Sequence, residues 1–252
     1  MHSRLTLERV ILLAVAAFVG GGINSVAGGG SFLTFPALIF AGVPPITANA
    51  TNNAAIWVGA IGGARGYWGD VREHKRLLIS VASVSSVGAL IGAILLLYTP
   101  AVTFAHLIPW LLLFATAVFA ASPLLVRHVP DGIPNHSPWQ IVLQFCVSVY
   151  GGYFGAGMGI LMLAILTFTG LPSFNATNGM KNVLSAVING VALIPFVLAG
   201  IIDWRFALPM AVIALLGGYF GAKFFRRVPA TLARIIVITI GITMTIVFFI
   251  RN

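Results

Sequence analysis

Apolar residues arrive in this sequence in runs of about 20, and that spacing decides which solvent the chain can fold in. Long runs fall at roughly 6–26, 48–66, 77–98, 102–126, 139–156, 176–200, 205–225 and 230–250. Each approaches or exceeds the ~20 residues a helix needs to cross the hydrocarbon core of a bilayer. Two shorter apolar pieces, Phe32–Ala41 and Ile160–Thr169, are about half a span each. Only 8% of the residues are charged, against roughly 25% in a soluble domain, so water cannot be the solvent for most of this surface. The expectation is an all-α polytopic membrane protein with eight full transmembrane helices and two half-length or broken helices. The 28 glycines and 13 prolines fit it, because in membranes neighbouring helices re-satisfy the backbone groups such residues free.

The short pieces sit in equivalent places and expose an internal repeat. Gly28-Gly29-Gly30-Ser31, an apolar decad, Gly42-Val43-Pro44 and Asn49-Ala50-Thr51-Asn52 form one copy. Gly155-Ala156-Gly157-Met158-Gly159, an apolar decad, Gly170-Leu171-Pro172 and Asn175-Ala176-Thr177-Asn178 form the other. Asp70-Val71-Arg72 answers Asp203-Trp204-Arg205, and Gly88–Gly92 answers Gly217–Gly221. The chain thus divides into a first repeat over 1–128, a linker at 129–138 and a second repeat over 139–252, within one membrane domain. Each repeat counts five segments, an odd number, so the second copy begins on the opposite side of the membrane. That is the inverted repeat common among transporters.

Charge placement orients the repeats. Alternating sides give one face Arg65, Arg72, Lys75, Arg76, Arg127, Lys223, Arg226, Arg227 and Arg234, and the other Arg4, Arg9, Arg205 and Arg251. The richer face is expected in the cytoplasm of a bacterial-type inner membrane, with both termini outside. The net charge of +9 is explained by this topology, and no nucleic-acid partner is expected. Arg4, Arg9, Val10–Val19 and the small residues near Ala27 imitate a cleaved signal. The segment's counterpart in mid-chain favours a retained helix. A lone cysteine, Cys146, excludes an intramolecular disulfide and a cysteine metal cluster.

A half-length apolar piece flanked by glycines is a pointer to a binding site in such a chain. A helix that restarts in mid-membrane exposes backbone N–H groups that bind anions. Candidate residues there are Gly28, Gly29, Gly30, Gly157 and Gly159, with Ser31 as N-cap of the short helix. Tight helix packing is the competing reading, and it is favoured for Gly88, Gly92, Gly217 and Gly221. After the turns come Asn49, Thr51, Asn52 and Asn53 in one half, and Asn175, Thr177, Asn178, Lys181 and Asn182 in the other. Their amides and hydroxyls can donate to sulfonyl or carboxylate oxygens, although Asn49 and Asn175 also suit helix caps. Ser185 and Asn189 continue the second set as a polar stripe. Lys181 lies inside a span, where a cation costs at least ~2.5–3.5 kcal/mol and usually marks a pathway or a partner. Snorkelling to the interface is its alternative.

Glu8, Asp70, Glu73, Asp131 and Asp203 lie near span ends or in loops, so no mid-membrane carboxylate relays protons. No P-loop, Ser–His pairing or His-Glu-x-x-His motif points to an enzyme. No cofactor and no metal are expected. A negative interior pushes anions outward with about 2.3 kcal/mol per charge per 100 mV, which favours export of an anion without coupling machinery.

At these residues the chain resembles the sulfite exporter TauE/SafE family, also called the 4-toluene sulfonate uptake permease family. The likeness runs through Gly20–Asn24, Gly28–Ser31, Pro36, Gly42-Val43-Pro44 and Ala48–Asn52, then Gly155–Gly159, Pro172 and Ala176–Asn178. It covers essentially the whole chain and places Asn24 with the site. The resemblance implies a permease for sulfite, sulfonates, sulfoacetate-like compounds or other small organic anions. Ala156 and Met158 interrupt the second glycine run, which argues for a less open backbone there and for unequal contributions from the halves. The expected partners are a small anion, the lipid bilayer and, for an importer of sulfonates or carboxylates, a coupling sodium or proton. A passive anion channel, a non-transporting membrane scaffold and, last, an intramembrane enzyme are the rival readings.

Overall fold

Ten of the eleven α-helices among the described residues coincide with the apolar runs, and the polar connections supply the stops. The structure, a computed structural model, describes residues 7–127, 138–166, 169, 171–224 and 230–251. In chain order it contains α1 (Leu7–Ala27), α2 (Ser31–Phe40), α3 (Pro45–Gly66), the short α4 (Trp68–Val71), one 3-10 turn (Arg72–His74) and α5 (Lys75–Tyr98). Then follow α6 (Ala101–Arg127), α7 (Pro138–Tyr153), α8 (Met158–Leu166), α9 (Phe174–Leu198), α10 (Trp204–Phe224) and α11 (Ala230–Arg251). Every regular element among the described residues is helical. Leu7–Ser25, Trp68–Tyr98, Ala101–Ala121 and Asn175–Leu198 are long and apolar enough to cross a membrane by length and composition. α3 is long enough too, but its Asn, Thr and Gly content makes it polar for a span. Most of the linker expected at 129–138, the glycine Gly170 and the basic Arg226 and Arg227 lie outside the described residues.

Glycines end the helices where the chain must reverse. Gly42 (φ 88) follows α2, and the Val43 N–H reaches back to the Leu38 carbonyl at 3.0 Å. Gly200 (φ 65) does the same after α9, with Ile201 N–H on the Phe196 carbonyl at 3.3 Å. Both are Schellman turns, which need the left-handed conformation that glycine adopts without a Cβ penalty. At the other end of α9, the Ser173 Oγ accepts the Ala176 N–H at 3.1 Å, satisfying one of the orphan donors of the first turn. Pro45 opens α3, where its missing N–H is not needed.

The packing is backbone-close. A methyl on Gly88 would lie 2.9 Å from the Phe145 carbonyl oxygen, and one on Gly92 would lie 2.8 Å from Tyr153 N. Gln144 Nε2 donates to Ser85 Oγ at 2.9 Å on the same seam, so α5 and α7 run parallel. α1 meets α10 at Gly21 and Gly217, whose methyls would lie 2.8 Å from the Ala214 carbonyl carbon and 2.7 Å from that of Phe18. In both seams the glycines serve close helix approach, as small residues do in membrane bundles. The first seam uses Gly92 where the second uses Gly217. The sequence pairing of Gly88 with Gly217 is therefore one helical turn out, because a Gly-x-x-x-Gly pattern matches itself after a shift of four. The side-chain surroundings of Gly221 are outside the described residues.

α3 and α9 cross antiparallel through the middle. Asn53 meets Asn189, the Trp57 indole donates to the Ala186 carbonyl at 3.0 Å, Gly63 lies against Asn182, and Tyr67 and Val71 lie against Gly179. Phe35, Phe104, Phe154 and Phe248 pack as an aromatic cluster, with Phe35–Phe154 centroids 5.3 Å apart. Much of the periphery is exposed Leu, Ile, Val and Trp, the surface a lipid-facing bundle presents.

One ion pair fixes the α9–α10 connection. Asp203 Oδ2 accepts Arg205 Nη2 at 2.8 Å, Oδ1 accepts the Arg205 N–H at 3.1 Å, and the Asp203 N–H donates to Thr51 Oγ1 at 3.0 Å. The hydrogen bond from the Arg205 side chain holds the Asp203 carboxyl below its ordinary range. A depressed carboxyl contributes stability above its unfolded pKa of about 4 and loses it as pH falls through the lower folded value. Thermal unfolding midpoints should therefore fall on acidification below about pH 4. Asp203→Asn should flatten that part of the profile; an unchanged acid limb in the variant would remove Asp203 as its source.

Candidate functional site

The two glycine breaks touch each other. Gly28 adopts φ 78 just after α1, and a Cβ there would lie 2.9 Å from the Gly159 backbone; one on Gly159 would lie 2.9 Å from Gly28 Cα. No side chain fits between the chains at this crossing. The second break carries two left-handed glycines, Gly155 (φ 76) and Gly157 (φ 77), and the Tyr150 hydroxyl donates to the Ala156 carbonyl within it at 2.6 Å. With two left-handed residues against one, the second break departs further from helical geometry than the first.

Beside the crossing lies a void with about 20 Å³ for water centres, enough for roughly one water. Of the residues expected from sequence, Asn24, Gly28, Ser31, Asn52 and Gly159 line it. Asn53, Ser185 and Asn189, which the polar sets contained, line it as well, with Gly155, Met158, Ile56 and Phe154. Phe154 and Ile56 carry no sequence signal, since an apolar side chain beside a site looks like any other core residue. Asn52 and Asn53 fall about 10–12 Å along the ~33 Å of α3, and Ser185 and Asn189 about 16–22 Å along the ~37 Å of α9. The void is therefore far from either end of both helices.

Its polar groups are buried and partly paired with one another. The Thr34 hydroxyl donates to Asn52 Oδ1. Asn53 Nδ2 donates to Asn189 Oδ1 at 3.2 Å, while Asn53 Oδ1 is buried without a partner. Lys181, 1% exposed, donates from Nζ to the Asn24 carbonyl at 3.3 Å, the same carbonyl that accepts the Gly28 N–H at 3.1 Å. The ammonium thus sits behind the last turn of α1, one residue away from the lining.

Other expected residues are placed elsewhere. Ser31 is not an N-cap: Gly30 holds that position in a right-handed helical conformation with no side-chain cap bond. The tight turn feeds Phe32 N–H onto the Gly29 carbonyl at 3.1 Å, so α2 starts without an extended cap residue. Asn175 is exposed in the first turn of α9, outside the site, because Ser173 already caps that helix. Thr177 returns its hydroxyl to the Ser173 carbonyl, Thr51 holds Asp203, and Asn49 Nδ2 donates to the Tyr153 carbonyl at 2.9 Å. Gly29 is buried beside the turn, Gly30 packs on Gly20, and Gly157 packs against Ala115 and Phe32. Asn178 and Asn182 are buried next to Lys181, each with one unpaired amide atom.

Two larger cavities flank the void along α3. One of about 230 Å³ lies at its C-terminal end among Ser25, Gly59, Gly62, Gly63, Gly66 and Tyr67. The other, about 280 Å³, lies near its N-terminal end among Gly42, Pro45, Ile108 and Phe248. Phe154 of the lining belongs to the aromatic cluster that includes Phe248. Among the described residues no three His, Cys, Asp or Glu side chains cluster to hold a metal.

The sequence profile of the family described as Sulfite exporter TauE/SafE matches residues 13–248. A Sinorhizobium protein named "Probable membrane transporter protein ORF9" is 27% identical over 96% of this chain and 93% of its own length. "Probable membrane transporter protein YfcA" of Escherichia coli K12 is 29% identical over 93% of this chain and 88% of its own. A "Probable membrane transporter protein" of Haemophilus influenzae is 26% identical over 95% and 94%. No solved structure matches the chain.

Proposed function

This chain belongs to the sulfite exporter TauE/SafE family of membrane transporters, and from that premise we propose that it exports a small anion such as sulfite or a sulfonate. The observation that carries the reading is the amide- and hydroxyl-lined void beside the crossing of the two glycine breaks. The starts of α2 at Ser31 and of α8 at Met158 line this void, and the N-terminal end of a helix favours negative charge. Lys181, buried two turns into α9, adds a cation beside it. With room for about one water, the void is the closed form of the site, lying between a cavity toward each end of α3.

Inverted repeats supply the motion. α3 opposes its counterpart α9, and the α1–α10 and α5–α7 seams repeat one pattern: Gly21 on Ala214 and Gly217 on Phe18, then Gly152 on Ala89 and Gly92 on Val149. Two such halves rock against each other around a fixed centre in alternating access. The face bearing Arg65, Arg72, Lys75 and Arg76 is then cytoplasmic and both termini lie outside. An anion leaves down the membrane potential, so export needs no coupling ion.

Proteoliposomes containing the purified protein should release labelled sulfite or a labelled sulfonate, with saturation and counterflow. A pore would show conductance without either. Asn52→Ala combined with Asn189→Ala should lower the rate about tenfold or more, since each removes a buried amide donor worth about 1 kcal/mol or more. Wild-type rates in a folded double variant would sink the site.

A further inference from the structure

The lining of the central void has a donor–acceptor balance that narrows the class of anion. Asn52 spends its carbonyl on the Thr34 hydroxyl, which leaves its NH₂ for the void. Asn53 and Asn189 are joined by a single hydrogen bond. Whichever way round two such amides are placed, one NH₂ and one carbonyl remain unspent. Here the free carbonyl is Asn53 Oδ1, on a side chain 8% exposed, buried and without a partner. The free NH₂ is that of Asn189, and the Ser31 and Ser185 hydroxyls also face the void's perimeter. The Asn24 side-chain amide on the same wall and the two hydroxyls can each donate or accept, so donors are plentiful, and Asn53 Oδ1 is the lining acceptor that is buried without a partner. Donors suit the oxygens of an oxyanion. The acceptor is left with nothing to do if the ligand is an oxyanion and nothing more, and a carbonyl left buried and unpaired is costly.

We infer that the site selects an oxyanion carrying a hydrogen-bond donor of its own, a hydroxyl or a protonated oxygen, which Asn53 Oδ1 accepts. A hydrogen sulfite or a hydroxyalkyl sulfonate has that pattern; a simple alkyl sulfonate lacks it. The inference rests on the anion reading above and adds a rule for choosing among anions. A site built to hydrogen-bond a ligand hydroxyl rejects the analogue without it, because its own polar group is then stranded.

The test compares two near-isosteric probes, hydroxymethanesulfonate and ethanesulfonate, by thermal stabilisation of the intact purified protein, which reports binding by mass action. Hydroxymethanesulfonate should stabilise at about tenfold lower concentration, and in Asn53→Ala the two probes should become equivalent. Equal affinities in the wild type, as expected if Asn53 Oδ1 holds only a fixed water, would overturn the inference while leaving an anion transporter standing. A preference that survives in Asn53→Ala would overturn the role of Asn53. If neither probe stabilises and labelled anions do not move in liposomes, the anion reading falls and the inference with it. The wild-type comparison decides the matter even where the variant fails to fold.

Discussion

Gly28→Ala should destabilise the protein by about 2–5 kcal/mol, because it sets a Cβ against backbone at the crossing of the two glycine breaks. Two costs combine at this residue. Its φ of 78 is left-handed, which costs a residue with a Cβ about 1–2 kcal/mol. The added methyl would also lie 2.9 Å from the Gly159 carbonyl carbon and Cα, and forcing atoms into a packed contact costs about 1–3 kcal/mol. Neither neighbour is a flexible side-chain end that can swing aside. Gly159→Ala meets the same wall from the other chain, at 2.9 Å from Gly28 Cα, but keeps ordinary dihedrals, so its loss should be smaller. Gly59→Ala is the control, since nothing lies within 4 Å of its Cβ position and the change should be neutral or slightly stabilising within the helix. Unfolding midpoints of the three variants in detergent would rank them. A Gly28→Ala protein as stable as Gly59→Ala would mean the breaks do not cross as described.

Lys181→Met should separate stability from transport. A buried lone ammonium is expensive in a membrane bundle, by at least ~2.5–3.5 kcal/mol at a helix centre. Its ammonium donates to the Asn24 carbonyl, which keeps the Gly28 N–H after the change. Methionine fills much of the same space without a charge. The variant should therefore unfold within about 1 kcal/mol of wild type, or above it, while anion flux in proteoliposomes drops about tenfold or more through loss of the favourable field at the void. Unimpaired flux in a stable Lys181→Met protein would remove the lysine from the pathway. A collapse in stability would make Lys181 a structural strut between the halves.

The helices were legible because their cause is local. Each apolar run predicts its helix within a few residues, and Gly42, Pro45 and Gly200 mark ends that follow from φ alone. The short Trp68–His74 insertion was not foreseen, since a single helical turn leaves no periodic signal. The lining of the central void was legible in part. Asn24, Gly28, Ser31, Asn52 and Gly159 were expected together and line one void. Asn175 looked identical to its neighbours in sequence and is exposed instead. A polar side chain near a helix start has two uses, capping and binding, and only the helix's rotation against its partners decides between them.

By itself the sequence determined that the chain belongs in a bilayer, that it is helical, and that its helices break at two glycine runs. Those follow from apolar run length and from dihedrals only glycine adopts, both properties of consecutive residues. Tertiary structure alone decided that the two breaks meet at Gly28 and Gly159, that Gly92 rather than Gly88 answers Gly217, and that Lys181 binds a carbonyl behind the void. Those depend on how helices far apart in the chain cross. A crossing is fixed by the fit of surfaces, and a four-residue shift that leaves the sequence pattern unchanged rearranges every contact.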